Sequence, residues 1–380
     1  MYERGTKPVR DDQAEQISEG QYSYLEGVQP PRLAYDPLEG VQPPRQAFDP
    51  LEGVQPPIQA YNHLESVQPP RQAYNPPDGN LRTRLEALLV VNISLPFNKY
   101  AFLATHNSFA VEDEAIVPVA MTCQEDSITQ QLQNGVRALM LDTYDFKGEV
   151  WLCHSRGGKC HEYTAFEPAI NIMMEIEAFL SSNPMEIVTL ILEDYVKTPN
   201  GLTNLFKEAG LKKYWFPISR MPREGQDWPI VRDMVANNQR LIVFTSKKSK
   251  QITEGAYQWD YMVENQYGDN GMKKGQCINR GESSQLDDKS KSLVLINYIR
   301  SLPLKQLSCV DNSHKLKEML RTCQVYAGDR WANFVAVDFY KRSEGGGAFE
   351  ALDMLNGRLL CGRDDVHTCM VPPPRNNTVA

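Results

Sequence analysis

Two textures of apolar and polar residues meet near residue 80 of this 380-residue chain. Beyond that point, short apolar runs alternate with stretches whose apolar residues recur every three or four positions. These are the patterns of buried strands and amphipathic helices. The runs predict strands at 100–105, 136–142, 150–153, 186–192, 239–245, 292–298 and 333–339. The helical pattern falls at 127–134, 167–182, 202–208, 231–237, 314–323 and 347–355. In the second of these, Ile170, Met173, Met174, Ile176 and Leu180 form a stripe expected to face a core and to need no ligand. Strand–helix alternation over about 290 residues predicts a mostly parallel sheet. The span fits an α/β fold of the TIM-type (β/α) barrel, which usually takes about 250 residues. An open doubly wound sheet is the alternative, and no Gly-rich phosphate loop follows any predicted strand to favour it.

Ahead of residue 81 neither period holds. Residues 22–73 are four copies of a 13-residue unit: YSYLEGVQPPRLA, YDPLEGVQPPRQA, FDPLEGVQPPIQA and YNHLESVQPPRQA, with a truncated YNPPDGN after them. Each copy holds a Pro-Pro pair, which excludes a continuous helix or a central strand. An aromatic, a Leu and a Val per copy bury too little to offset the ordering entropy of the rest. The expectation for 1–80 is a disordered, polyproline-rich acidic tail. A docking array for a proline-reading partner and a precursor of short peptides are its two sharper alternatives, and nothing in the repeats chooses between them. Residues 81–370 are expected to form the barrel, and 371–380 a flexible tail.

The chain is 41% hydrophobic and 23% charged, enough for a sizeable core and incompatible with wholesale disorder. No stretch approaches the roughly 18–20 apolar residues of a membrane-spanning helix. The first twenty residues, MYERGTKPVRDDQAEQISEG, lack the apolar segment of a signal peptide, and VPPPRNNTVA lacks a lipid-anchor tail. Net charge is −8, and residues 1–80 carry 6 basic against 12 acidic side chains. The rest, with 34 and 36, is nearly neutral, so no basic block points to nucleic acid.

In a parallel barrel, functional side chains collect past the C-terminal ends of strands. The predicted exits read Thr105-His106-Asn107-Ser108, Leu141-Asp142-Thr143, Cys153-His154-Ser155, Leu192-Glu193-Asp194 and Val337-Asp338-Phe339. Taken singly, each is a polar cap on a strand. Together they bring two histidines, three acids and an amide to one rim. Imidazoles suit general acid–base work near neutrality, and a carboxylate behind one would fix its tautomer. Asn107, Asp142 and Glu193 are oxygen donors of the kind calcium or magnesium prefers. Base, acid and divalent cation describe cleavage of a phosphodiester by an internal hydroxyl.

The stretches NKYAFLATHNSFA, GVRALMLDTYDF, VWLCHSRGGKCHEYTAFEPAINIMMEIEAFLSSNP, EIVTLILEDYV and WANFVAVDFYKR resemble the X domain of phosphatidylinositol-specific phospholipase C, and more closely the plant PLC-like phosphodiesterases. The resemblance runs from about Pro96 to Cys369. It implies His106 as general base, His154 as general acid and Asp338 as the carboxylate that orients the base. It also implies Asn107, Asp142 and Glu193 as ligands of calcium or magnesium. Metal-free bacterial relatives have Arg and Lys in place of the last two. The acids here put the chain on the metal-dependent side, but Met140 stands where the calcium enzymes have another glutamate, so weak calcium or magnesium binding is expected rather than none.

Lys247, with Lys248, and Tyr267 in VENQYGDNG are candidates for substrate phosphate and sugar, against plainer readings as a solvated lysine pair and a buried tyrosine. Cys153-His154 and Cys160-His161 match no usual zinc spacing, and a Cys153–Cys160 disulfide bracing the His154 loop is expected instead. Eight cysteines, all after residue 122, and sequons at Asn92 and Asn376 fit an oxidising, extracellular compartment, as the resemblance does, and the alternative is a chain kept inside the cell with reduced thiols. The functional expectation is a phosphoric diester hydrolase or lyase acting on an inositol phospholipid or a related glycerophosphodiester, with at most shallow, peripheral membrane contact. The rival is a catalytically silent barrel that binds a ligand or associates with the cell wall.

Overall fold

A computed structural model describes residues 93–112, 122–155, 158–251 and 255–370. The expected tails, 1–80 and 371–380, lie outside the described residues. Ten strands form one sheet: β1 (Phe102–Thr105), β2 (Ala138–Phe146), β3 (Glu149–Cys153), β4 (Ala165–Pro168), β5 (Val188–Tyr195), β6 (Leu241–Thr245), β7 (Ala256–Tyr257), β8 (Met262–Glu264), β9 (Leu293–Tyr298) and β10 (Phe334–Val337). The helices are α1 (Ile128–Gln133), α2 (Ala169–Ser182), α3 (Gly201–Glu208), α4 (Val231–Ala236), α5 (Gly268–Gly271), α6 (Lys305–Val310), α7 (Leu316–Tyr326) and α8 (Ala348–Cys361). None is long and apolar enough to cross a membrane.

Eight strands run parallel in the order β7-β6-β5-β2-β1-β10-β9-β8. The expected TIM-type barrel is therefore present as a curled parallel sheet. Its two end strands, β7 and β8, are joined by the single turn Gln258–Asp260, and no ladder between them occurs among the described residues.

Period-two alternation sorts the core into two layers. Phe102 and Ala104 of β1, Met140 of β2, Ile191 of β5, Met262 of β8, Leu295 of β9 and Phe334 and Ala336 of β10 fill the barrel interior with Phe97 and Trp228. Leu103, Leu139, Leu141, Leu190, Leu192, Val294, Ile296 and Val335 face outward beneath the helices. Burying each such side chain contributes about 1.5–3 kcal/mol. Every inward series ends at the C-terminal rim on a polar residue: His106, Asp142, Glu193, Glu264, Asn297 and Asp338.

Three expectations need correction. Residues 149–153 are not a barrel stave: β3 pairs antiparallel with β2, and β4 with β3. Residues 165–168 form that third hairpin strand, so α2 starts at Ala169, directly after Pro168, whose missing N–H costs nothing at a helix start. Within α2, Ile172, Met173, Ile176, Phe179 and Leu180 are buried, whereas Met174 is 52% exposed. Its position falls on the solvent side of the turn.

Candidate active site

β1 and β10 lie side by side with Thr105 opposite Val337, and the ladder continues through His106 N–H to the Val337 carbonyl at 3.1 Å. The next residues, His106 and Asp338, therefore meet at the rim. His106 Nδ1 lies 2.8 Å from Asp338 Oδ1, with side-chain exposures of 20% and 4%. The amide of Gln124 donates to the carbonyls of His106 (2.9 Å) and Val337 (3.1 Å), clamping the two exits together. Asn312 Nδ2 donates to the Asp338 carbonyl at 2.9 Å. Just past each member of the pair the chain turns through a left-handed residue, Asn107 (φ 39°) and Phe339 (φ 45°). Asn tolerates this conformation. Phe does not, at a cost of order 1–3 kcal/mol that the surrounding bonds must hold.

His154 reaches the same rim from the other direction. β2 runs on past the barrel to Phe146 and β3 returns antiparallel, Phe146 facing Glu149 and Thr143 facing Leu152. The end of β3 is thus brought back beside Asp142. There the His154 N–H donates to the Thr164 carbonyl (3.0 Å), and the Tyr144 hydroxyl donates to the Ser155 carbonyl (3.0 Å). The expected Cys153–Cys160 disulfide is formed, as are Cys277–Cys323 and Cys361–Cys369. The His106 and His154 rings stand 6.4 Å apart, centroid to centroid, at 83°.

The acids of β2 and β5 are register partners, Asp142 opposite Glu193. Burial pushes the Asp142 carboxyl well above its usual range, the charge of Glu193 adds to this, and Arg280 opposes both. Burial acts on Glu193 in the same upward sense, yet Arg280 outweighs it and holds Glu193 below the usual carboxylate range. Both Glu193 oxygens are engaged: Arg280 Nη2 donates to Oε1 at 3.0 Å and the Tyr195 hydroxyl to Oε2 at 3.1 Å. Asn107 is buried beside the thiol of Cys123. Burial, with the charges of Asp338 and Asp142, drives that thiol well above its ordinary pKa.

Calcium and magnesium select several free carboxylate or carbonyl oxygens around one point. Glu193 already carries a guanidinium on one oxygen and a tyrosine hydroxyl on the other, and Met140 adds a thioether rather than a carboxylate to the interior. The residues as arranged do not fit a resident divalent ion.

Of the substrate-binding candidates, Lys247 follows β6 with its ammonium 5.7 Å from the Tyr195 ring, on the Glu193 side of the mouth. Tyr267 follows β8, is 38% exposed, and lies 4.9 Å from the Arg280 guanidinium. Sequence reasoning missed Arg280, Glu264 and Cys123. The only signal for Glu264 was the apolar alternation of a three-residue strand, and Arg280 lies on no strand at all.

A TIM-type barrel whose rim gathers a His–Asp pair and a second histidine defines the class. Residues 94–356 match the family described as PI-PLC X, and the chain belongs to that family. A PI-PLC X domain-containing protein of Arabidopsis thaliana is 56% identical over 280 residues, 72% of this chain and 66% of that one. PI-PLC X domain-containing protein 1 of Arthroderma benhamiae is 28% identical over 163 residues, 40% and 48% of the two chains. The chain thus spans no more than about two thirds of the length of these curated relatives. Among solved structures, a phosphatidylinositol-specific phospholipase C from S. aureus gives a TM-score of 0.46 at 11% identity, covering 69% of this chain and 93% of that one. The enzyme of that name from Listeria monocytogenes gives 0.46 at 14%, covering 66% and 92%.

Proposed function

We propose that this chain is a phosphoric diester hydrolase or lyase of phospholipase C type, cleaving an inositol phospholipid or a related glycerophosphodiester. The observation that carries this reading is the 2.8 Å contact of His106 Nδ1 with Asp338, with the His154 ring 6.4 Å across the mouth. A carboxylate on Nδ1 assigns the proton to that nitrogen and leaves Nε2 as the acceptor. His106 Nε2 takes the proton of a hydroxyl adjacent to the diester. That oxygen bonds to phosphorus as the bond to the leaving oxygen breaks, and His154 gives its proton to the departing alkoxide. The product is a cyclic phosphodiester and a free alcohol. In the opposite roles, His154 takes a proton from a water whose oxygen bonds to phosphorus as the ring P–O bond breaks, and His106 gives its proton to the hydroxyl that is released.

Lys247 and Tyr267 flank the mouth where a phosphate and a sugar ring would enter. The family membership and the His–Asp–His geometry support this assignment of roles.

The test is the cleavage rate of His106→Ala and His154→Ala on phosphatidylinositol and on soluble glycerophosphodiesters. Each variant is expected to lose about 10²–10⁴-fold while keeping its fold. Variant rates equal to wild type would remove the two histidines from the chemistry, and no cleavage by any form would favour the binding barrel instead.

A further inference from the structure

Arg280 comes from the coil between β8 and β9, and its side chain is only 10% exposed. Its guanidinium is built in from below. Nη1 donates to Glu264 Oε1 at 3.2 Å, and Glu264 is itself fixed by Asn297 (2.8 Å), Gln258 (2.7 Å) and the Trp259 indole N–H (2.9 Å). Nε reaches Glu282 at 3.1 Å, and the rings of Trp259 and Tyr267 stand 5.4 and 4.9 Å from the guanidinium carbon. The remaining arm, Nη2, points toward the mouth and takes Glu193 Oε1 at 3.0 Å. Glu193 in turn lies within electrostatic reach of His106.

We propose that Arg280 is the resident cation of this mouth. It holds Glu193 in place and supplies the fixed positive charge that a divalent ion would otherwise bring beside the substrate phosphate. The proposal rests on the phosphodiesterase reading for the identity of that phosphate. A guanidinium is permanently charged and does not exchange ligands, so such a site works without metal supply. Arg280 is a positioning residue here: it acts through Glu193 and through its charge.

The arrangement has a consequence for metal binding. Glu193, Glu264 and Glu282 all converge on one guanidinium. Replacing it with a neutral side chain leaves three carboxylates around one point, the oxygen-rich environment that calcium selects.

The experiment is titration calorimetry of calcium chloride into the full chain, after dialysis against chelator, for wild type, Arg280→Gln and Arg280→Lys. Wild type and Arg280→Lys are expected to show no binding at millimolar calcium. Arg280→Gln is expected to gain a site with a dissociation constant of about 10⁻⁴–10⁻³ M. Cleavage should persist in chelator for wild type and become calcium-stimulated in Arg280→Gln. Calcium binding by wild type overturns the proposal. So does a folded Arg280→Gln that binds no more calcium than wild type. If Arg280→Gln does not fold, wild type and Arg280→Lys decide by the same criterion. Should wild type cleave nothing, the phosphodiesterase reading falls, while the calcium titration still judges Arg280.

Discussion

His106 and Asp338 are 232 residues apart in sequence and 2.8 Å apart in space, joined across the seam between β1 and β10. The parallel register makes this contact: once Thr105 faces Val337, the next residue of each strand has only the other to meet. A carboxylate there fixes the histidine tautomer, and an amide would not hold the imidazolium that forms during turnover. Asp338→Asn is therefore expected to lower kcat about 10²–10⁴-fold with little change in KM and an unchanged circular dichroism spectrum. Retention of kcat would separate Asp338 from the chemistry.

The two unpaired thiols, Cys123 and Cys309, give a second prediction. Cys123 is fully buried beside the His106–Asp338 pair, and burial together with neighbouring carboxylates raises its pKa. At about pH 8 it should therefore remain the thiol, out of reach of iodoacetamide, because the thiolate is the nucleophile. Mass spectrometry should find Cys123 unlabelled in the native protein. Unfolding without reductant should then label two cysteines, Cys123 and Cys309. More than two labels would contradict the three disulfides.

Closing the His154 loop with Cys153–Cys160 removes entropy from the unfolded chain, by about 2–3 kcal/mol for so short a loop. Cys153→Ser with Cys160→Ser should lower the unfolding free energy by that order. Activity should fall further than stability predicts, since the loop holds the proposed acid. A denaturant titration beside a rate measurement checks both. Unchanged activity would show that β3 alone positions His154.

Far from the mouth, at the start of β2, Arg137 Nε donates to Glu186 Oε2 at 2.7 Å, with both side chains over nine-tenths buried. Its Nη1 also holds the carbonyls of Leu132 and Val136. Removing one charge of a buried pair strands the other, so Glu186→Gln should cost about 3–5 kcal/mol by chemical denaturation. The rate per folded molecule should not change. A loss below about 1 kcal/mol, the worth of a surface pair, would contradict the burial argument.

Much of the rim was legible because the fold's logic is simple. Hydrophobic runs end in polar residues at strand exits, so His106, Asp142, Glu193 and Asp338 could be read once a parallel barrel was expected. His154 was also found, though by a different route from the one expected. The hairpin of β2 and β3 leaves the same apolar signature as a stave, and pairing direction is not written in either strand. Glu264 and Arg280 stayed hidden for physical reasons. β8 has three residues, too few to show a period, and Arg280 is recruited from coil by Glu264 and two aromatic rings. Asp142 and Glu193 stand as register partners at the rim, but nothing in the sequence shows that a guanidinium lies against Glu193.

The most direct test of the His–Asp–His account is ³¹P NMR of phosphatidylinositol incubated with the full chain, in parallel with His106→Ala. The account predicts a cyclic phosphodiester signal with wild type and its loss with the variant. A folded wild-type protein that yields neither a cyclic phosphate nor a phosphomonoester, or a variant that matches it, would contradict the account.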